Sequence, residues 1–523
     1  MSCVPSDAAG TPEKPLDRRL DWIPATACLL SADRHIAWRR EELERRVRQL
    51  AGNLQSQLPR GAVVGSLADN SPHWLIADLA LHAAGMIHVP LPAFFTKEQI
   101  AHVMRASAMA ALICADADLA ARLGFAATAI TDTPLACYFK GRDAAPAPMS
   151  RRHDAVAKIT FTSGTTDAPK GVLLTFEQQM ATARSLAAAT AALRIERHLC
   201  LLPLPVLLEN VAGAYTALLT GAECICPSLA EVGMQGASGF DARRCLDLVA
   251  RQRADSLILL PQMLRGLVEV LETDAARRSA LPALKFVAVG GARTSPALIE
   301  HARRLGLPVY EGYGLTECAS VVSVNLPHAD RLGSVGRALP GVQLRLANDG
   351  EIQVRGRGYA GYLGADAPAP DAWFTTGDLG TMDEAGYLHI VCRKKSVLVT
   401  SFVRNVSPEW PEGLITEHPG IVQAAVFGDA RPFLVAVVCA IAPLSDAEID
   451  AHIEHVNTRL PDYARLGGWI RAREPFTPAN GLATGNGRAR RDAVYARYAA
   501  DIEARYGATP TDRLPQPFTA ATT

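Results

Sequence analysis

Across residues 40–58 apolar positions recur every three or four residues with Glu and Arg between them, the spacing of an amphipathic helix. A short apolar run at 62–67 reads as a strand. Asp69, Asn70 and Ser71 can then turn and cap, and residues 73–85 return to helical spacing. Similar apolar runs recur at 110–114, 155–161, 256–260 and 286–289, each followed by a helix-compatible stretch. This alternation predicts an α/β fold, with parallel sheets covered by helices. From about Gly333 the texture changes to short alternating segments at 343–346, 351–354 and 387–391 among glycines and turns, which predicts a small β-rich subdomain. Past Val397 the pattern is mixed α and β, ending in a basic helical stretch at 488–506 and a Pro/Thr-rich tail expected to be flexible.

A chain of 523 residues exceeds what one core supports, so several subdomains are expected. Lys plus Arg and Asp plus Glu both number 53, which leaves no positive excess to hold nucleic acid by counterion release. The first twenty residues have no apolar core of the secretory kind, and the apolar run at 434–444 falls short of the ~20 residues that span a bilayer. A soluble, cytoplasmic protein without a transmembrane segment is the expectation. The eleven cysteines are scattered, Cys224 and Cys226 being the close pair. No spacing among them points to zinc or to a disulfide framework, and buried reduced thiols are expected.

Residues 159–174, ITFTSGTTDAPKGVLL, combine a strand with a loop of hydroxyls and glycine ending in Pro169-Lys170-Gly171. Small residues let backbone N–H groups approach phosphate oxygens, hydroxyls add donors, and Lys170 adds charge. The Walker A spacing is absent. Taken alone, the segment reads equally as a Ser/Thr-rich surface loop. It strongly resembles the phosphate-loop motif of the adenylate-forming superfamily, the AMP-dependent synthetases and ligases. The resemblance implies that Thr162, Ser163, Gly164, Thr165, Thr166 and Lys170 cradle ATP. Asp167 stands where the family usually has Gly, and its side chain is expected to point away from the phosphates.

Two further segments extend the resemblance. Residues 309–319, VYEGYGLTECA, are expected to form an apolar strand end followed by a Gly-spaced turn that lifts Tyr313, Thr316 and Glu317 into a crevice at the carboxyl edge of a sheet, where α/β folds bind ligands. Without the family match they would read as a Gly-rich turn with an exposed Glu. With it, Glu311, Gly312, Tyr313 and Gly314 line the nucleotide, Tyr313 stacking on adenine. Thr316 bonds the α-phosphate and Glu317 holds Mg²⁺, as suits a hard cation. Upstream, Gly290, Gly291 and Ala292 of VAVGGA let adenine and the acyl group lie against backbone. In WFTTGDL, Asp378 grips the ribose together with Arg393, and Lys395 is the hinge of a mobile C-terminal domain. The implied organisation is an N-terminal AMP-binding domain at 1–393, a C-terminal domain at 394–506 and a tail at 507–523.

The implied reaction joins a carboxylate to AMP with loss of pyrophosphate, then passes the acyl group to a thiol, either CoA or a phosphopantetheinyl carrier protein. Lys170, Thr316, Glu317 and Arg488 are the candidate catalytic residues. Arg488 takes the place of a family lysine that bridges carboxylate and α-phosphate. Arginine keeps the charge, but its planar fork is not equivalent to an ammonium. Phe402 and Val403 replace glycine in the loop that lines the family's pantetheine tunnel, which keeps open a ligase that hands the adenylate to a carrier or an amine. Arg488 and Asp167 together keep open a non-catalytic binding protein. Residues 202–208 lack the Asp that amino-acid-activating relatives use, and Val206 stands where many relatives have His. The expected substrate is an apolar acid without an α-amino group, and the wording of 202–213 and of Arg393-Lys394-Lys395 resembles long-chain fatty acyl-CoA synthetases.

Overall fold

A computed structural model describes residues 20–130, 134–140, 155–162, 169–235, 239–357, 360–366, 368–369, 371–399, 405–441, 444–484 and 487–507. Its two large sheets are parallel in the middle and antiparallel at the edges. In the nine-stranded sheet, six neighbouring strands run parallel, from Cys28–Leu30 through Glu223–Ile225, Arg197–Leu199, Ser256–Leu259 and Phe286–Val289 to Val309–Leu315. In the eight-stranded sheet the parallel centre is Val156–Thr162, Ile87–Pro90, Val63–Leu67 and Ala111–Cys114. The centres are mostly buried, as expected of parallel strands covered on both faces, while Val309–Leu315 is only partly buried.

Helices form where the sequence supplies an apolar face, and several add a side-chain cap. The predicted amphipathic helix is Arg40–Gln57 and buries Leu43, Val47, Leu50, Ala51 and Leu54. Pro72–Ala83 starts at Ser71, whose hydroxyl accepts from the Trp74 N–H, with Pro72 in the first turn where its missing N–H does no harm. Thr175 and Gln178 close a capping box on Phe176–Thr190. The strand Val156–Thr162 departs from expectation, since Lys170–Thr175 follows it as an antiparallel hairpin partner before any helix begins. The residues between read as a loop for their Gly and Pro, a pattern that a hairpin connection shares.

Between the two sheets lies one apolar core in which Leu54, Leu75, Leu79, Leu204, Val211 and Leu218 are fully buried. A π-helix, Leu208–Tyr215, runs through it and is anchored at both ends by buried polar groups. Glu209 accepts from the backbone N–H groups of Leu201 and Leu202 and pairs with His198 at 2.9 Å. Asn210 and Tyr215 donate to Asp78 at 3.0 and 2.7 Å. Asp78 also accepts from Lys158 at 3.0 Å and from His88 at 2.6 Å, all out of solvent.

The β-rich portion forms a four-stranded antiparallel sheet of Gln343–Leu346, Glu351–Arg355, Phe374–Met382 and Leu388–Arg393. Beyond it the smaller portion holds Ile421–Phe427, Leu434–Ala440 and Leu466–Arg471 in one sheet, flanked by Glu409–Ile415, Asp446–Thr458 and Arg491–Gly507. The basic helix thus starts at Arg491, three residues later than its composition predicts. No helix among the described residues is long and apolar enough to cross a membrane. The expected tail at 507–523 falls, beyond Gly507, outside the described residues.

Candidate active site

The carboxyl ends of Phe286–Val289 and Val309–Leu315 meet the four-stranded sheet and the C-terminal portion around a cleft of about 2650 Å³. The VYEGYGL segment is strand throughout, not a strand end and a turn. It continues into an antiparallel pairing with Ser320–Val324, and only Thr316–Cys318 curl into a short helical turn. Its glycines serve close approach: a Cβ on Gly312 would stand 3.2 Å from the Ser323 carbonyl oxygen, and one on Gly290 would stand 3.3 Å from the Gly312 oxygen. The missing side chains let these backbones approach closely, and Gly290 and Gly312 both line the cleft.

One wall is a hydrogen-bonded set that fixes Tyr313, Asp378 and Arg393. The Tyr313 hydroxyl donates to Asp378 Oδ2 at 2.6 Å, and Arg393 Nε pairs with Asp378 Oδ1 at 2.9 Å. The register explains the meeting, because Asp378 and Arg393 are directly opposite on paired strands. Thr376 braces both. Its hydroxyl accepts from the Asp378 N–H at 3.1 Å, and its carbonyl accepts from Arg393 Nη1 at 3.0 Å. Burial, with the Asp378 charge, pushes the Tyr313 phenol well above its usual value, so it remains a donor. The neighbouring Glu311 is buried, and burial raises its carboxyl to about 7 against the opposing effect of the Thr294 N–H.

On the facing wall Glu317 Oε1 accepts from the Tyr362 hydroxyl at 2.8 Å. Tyr362 sits opposite Val172 on the strand that begins at Lys170, so this bond ties Glu317 to the return strand of the phosphate hairpin. Thr316, Thr162 and the exposed Lys170 line the same cleft. Ser163, Gly164, Thr165, Thr166 and Asp167 lie outside the described residues, as do Phe402 and Val403. Gly291 and Ala292 line the cleft beside Gly290, and Gly314 lines it beside Tyr313.

The run Arg393-Lys394-Lys395 is split by the fold. Arg393 turns to Asp378, Lys394 pairs with Asp349 and Glu351 at 2.6 and 2.7 Å, and Lys395 lines the cleft. Arg488 enters from the C-terminal portion. It precedes the helix, in a loop closed by its N–H on the Thr484 hydroxyl at 3.2 Å and by its carbonyl on the Thr484 N–H at 2.7 Å. Arg265 donates to the Thr416 carbonyl at 2.7 Å and so helps hold that portion against the large one. Solvent still reaches Arg488, yet the surrounding walls desolvate it, and with the Arg393 charge they lower its pKa from the usual value against the pull of Asp378 and Glu409. Arg488 therefore stands in the field of the Tyr313, Asp378 and Arg393 set.

His102 and Tyr362 carry no sequence signal of their own, and Thr376 lies in the WFTTGDL motif without a role assigned to it. His102 bonds the Pro169 carbonyl at 3.1 Å, at the end of the phosphate hairpin. Tyr362 and Thr376 act on Glu317 and Asp378 from positions 45 and two residues away. Only spatial neighbours reveal them.

A cleft with glycines in its lining, a carboxylate paired with a guanidinium and cations from two portions of the chain fits an adenylate-forming enzyme. The sequence match agrees. Residues 19–368 match the model of the AMP-binding enzyme family, and residues 395–510 match that of the AMP-binding enzyme C-terminal domain. The chain belongs to the AMP-binding enzyme family, as a carboxylate–AMP ligase of the acid–thiol ligase class. It is 29% identical over 515 residues to the long-chain-fatty-acid–CoA ligase FadD15 of Mycobacterium bovis, covering 83% of this chain and 86% of that one. It is 31% identical over 445 residues to the 3-[(3aS,4S,7aS)-7a-methyl-1,5-dioxo-octahydro-1H-inden-4-yl]propanoyl:CoA ligase of Mycobacterium tuberculosis, covering 79% and 85%. The fold is shared with o-succinylbenzoate CoA synthetase from Bacillus subtilis in complex with its acyl-adenylate intermediate, at a TM-score of 0.70 and 20% identity over 89% of this chain and 94% of that one.

Proposed function

We propose that this enzyme activates an apolar carboxylic acid without an amino group, a fatty acid being the leading class, and transfers the acyl group to CoA. The observation that carries this reading is that Arg488, from the C-terminal portion, lines the same cleft as the bonded set of Tyr313, Asp378 and Arg393. Tyr313 would lie on the adenine, and Asp378 with Arg393 would hold the ribose hydroxyls. Thr316 and Lys170 would hold phosphate oxygens. The acid's carboxylate attacks the α-phosphorus of ATP, the bond to the bridging oxygen breaks, and pyrophosphate leaves with that electron pair. Arg488 would neutralise the two anions that must approach. Catalysis here is positioning plus charge compensation.

Glu317 is the residue that would hold Mg²⁺, since a carboxylate oxygen facing the phosphate hairpin is the hard donor such an ion takes. The ion, when bound, supplies compensation of triphosphate charge. For the second half-reaction, the thiol of CoA attacks the acyl carbon and AMP leaves. The segment 394–506 would turn about Lys395 between the two steps. The names of the two relatives, both CoA ligases, favour CoA over a carrier protein or an amine.

The acid class follows from the π-helix wall, where Val206, Leu207, Leu208 and Ala212 line the cleft. Glu209 is the single acid in 202–219 and is fully buried, turned to His198 and to the backbone of Leu201 and Leu202. An α-ammonium placed against this wall would find no partner. In ATP–pyrophosphate exchange, a panel of carboxylic acids should therefore show medium- and long-chain fatty acids or aryl acids turning over roughly 10²-fold or more faster than any standard amino acid. Faster exchange with an amino acid would overturn the assignment.

Arg488→Ala should slow exchange by about 10²-fold while leaving ATP affinity within about threefold, because charge compensation is lost at the reacting centre alone. Arg488→Lys should restore most of the rate. Equal rates for wild type, Ala and Lys would make Arg488 a bystander.

A further inference from the structure

Outside the cleft, two adjacent parallel strands bring three thiols to one point. His198 is in register with Cys224, and Leu199 with Ile225. Cys200 follows one residue on, its N–H bonded to the Ile225 carbonyl, and so falls beside Cys226. Residues two apart on a strand share a face. His198, Cys200, Cys224 and Cys226 thus project together into the core between the two large sheets. The three sulfurs form an equilateral triangle, with Cys200 to Cys224, Cys224 to Cys226 and Cys226 to Cys200 each 3.8 Å. All three residues are buried.

A tetrahedral Zn²⁺ ion with bonds of about 2.3 Å to sulfur sets its ligand atoms about 3.8 Å apart, the edge of this triangle. Cys200 also lies within 4.8 Å of both a ring nitrogen of His198 and a carboxylate oxygen of Glu209, which are within the same distance of each other. Neither lies within that distance of all three sulfurs, so a fourth ligand requires His198 or Glu209 to turn from its present partner. Three free thiols could pack at the same separation as small hydrophobes. What sets this triad apart is the buried imidazole and carboxylate at its side, which pair with each other at 2.9 Å.

We propose that Cys200, Cys224 and Cys226 form a structural zinc site, completed by His198 or Glu209. Each thiol gives up its proton to solvent as its sulfur bonds the ion, so three protons leave for three Zn–S bonds. The site lies at the start of the π-helix, where Glu209 is anchored, and a bound ion would tie the wall of the acyl pocket to the sheet beneath it.

The test is metal content of the full chain, purified without a metal-affinity tag from zinc-supplemented cells and measured by elemental mass spectrometry. The expected result is about one zinc per chain, falling below about 0.1 in Cys224→Ser, with Cys245→Ser, a buried thiol elsewhere, unchanged. Refolding wild type from denaturant with Co²⁺ in place of Zn²⁺ should give the near-ultraviolet sulfur-to-cobalt charge-transfer band, a reading that holds even if Cys224→Ser does not fold. Less than 0.1 zinc in wild type both as purified and after refolding with Zn²⁺ would overturn the site. So would zinc retained in Cys224→Ser, absence of the cobalt band, or copper found in place of zinc.

Discussion

Glu317→Ala is expected to lower kcat for ATP–pyrophosphate exchange by roughly 10²-fold or more, the loss that follows removal of one group aimed at charge developing in a transition state. The residue is half-buried in a short helical turn, and among the described residues its carboxylate has a single side-chain hydrogen bond, from Tyr362. Truncation therefore leaves no buried charge behind, and thermal stability should stay within about 1 kcal/mol of wild type. A rate loss without a stability loss separates function from folding. Tyr362→Phe provides a graded comparison. It leaves the carboxylate in place but frees it to turn, and the rate should fall by roughly tenfold or less. Excess Mg²⁺ should recover part of the Tyr362→Phe loss and little of the Glu317→Ala loss. Unchanged exchange in Glu317→Ala would remove this residue from the reaction.

Much of this centre is legible in the sequence because its signals are local. Tyr313 and Glu317, four residues apart, are contained in one strand and its end. Periodicity places Arg40–Gln57 to within a residue, since an amphipathic face repeats within one helix. What stays hidden depends on register between distant strands. The pairing of Asp378 with Arg393 is a cross-strand contact, and Tyr362 reaches Glu317 only because its strand adds to the edge of the phosphate hairpin. The cysteines are the clearest case. Cys224 and Cys226 show as a pair in the sequence, but Cys200 joins them through a parallel crossover that no spacing rule records. Basic surroundings predict a helix at Arg488, whereas Thr484 holds it in a closed loop ahead of that helix.

The second large effect concerns stability, and it comes from a buried charge cluster whose members lie on separate elements. Asp78 accepts from His88, Lys158, Asn210 and Tyr215 in a region closed to solvent, and His88 in turn accepts from the Ser66 hydroxyl at 2.7 Å. Burial alone would raise the Asp78 carboxyl, but Lys158 and His88 together hold it below the usual carboxylate value. Burial lowers the Lys158 ammonium against the attraction of Asp78. Asp78→Ala would leave Lys158 buried without its counter-charge, and a loss of about 3–5 kcal/mol is expected, read as a shift of the urea midpoint by tryptophan fluorescence. Lys158→Met combined with Asp78→Ala should be less destabilised than Asp78→Ala alone, because the stranded cation is gone. Acid should act in the same direction. Burial lowers His88 from 6.5, so on falling below that pH the unfolded chain takes up a proton that the folded chain refuses, and stability falls. Asn210 and Tyr215 stand at the two ends of the π-helix that lines the acyl wall. Loss of Asp78 should therefore raise KM for the acid before it changes KM for ATP, whose candidate contacts lie on other elements. An Asp78→Ala variant with wild-type urea midpoint and unchanged KM for the acid would show that the cluster neither stabilises the fold nor positions that wall.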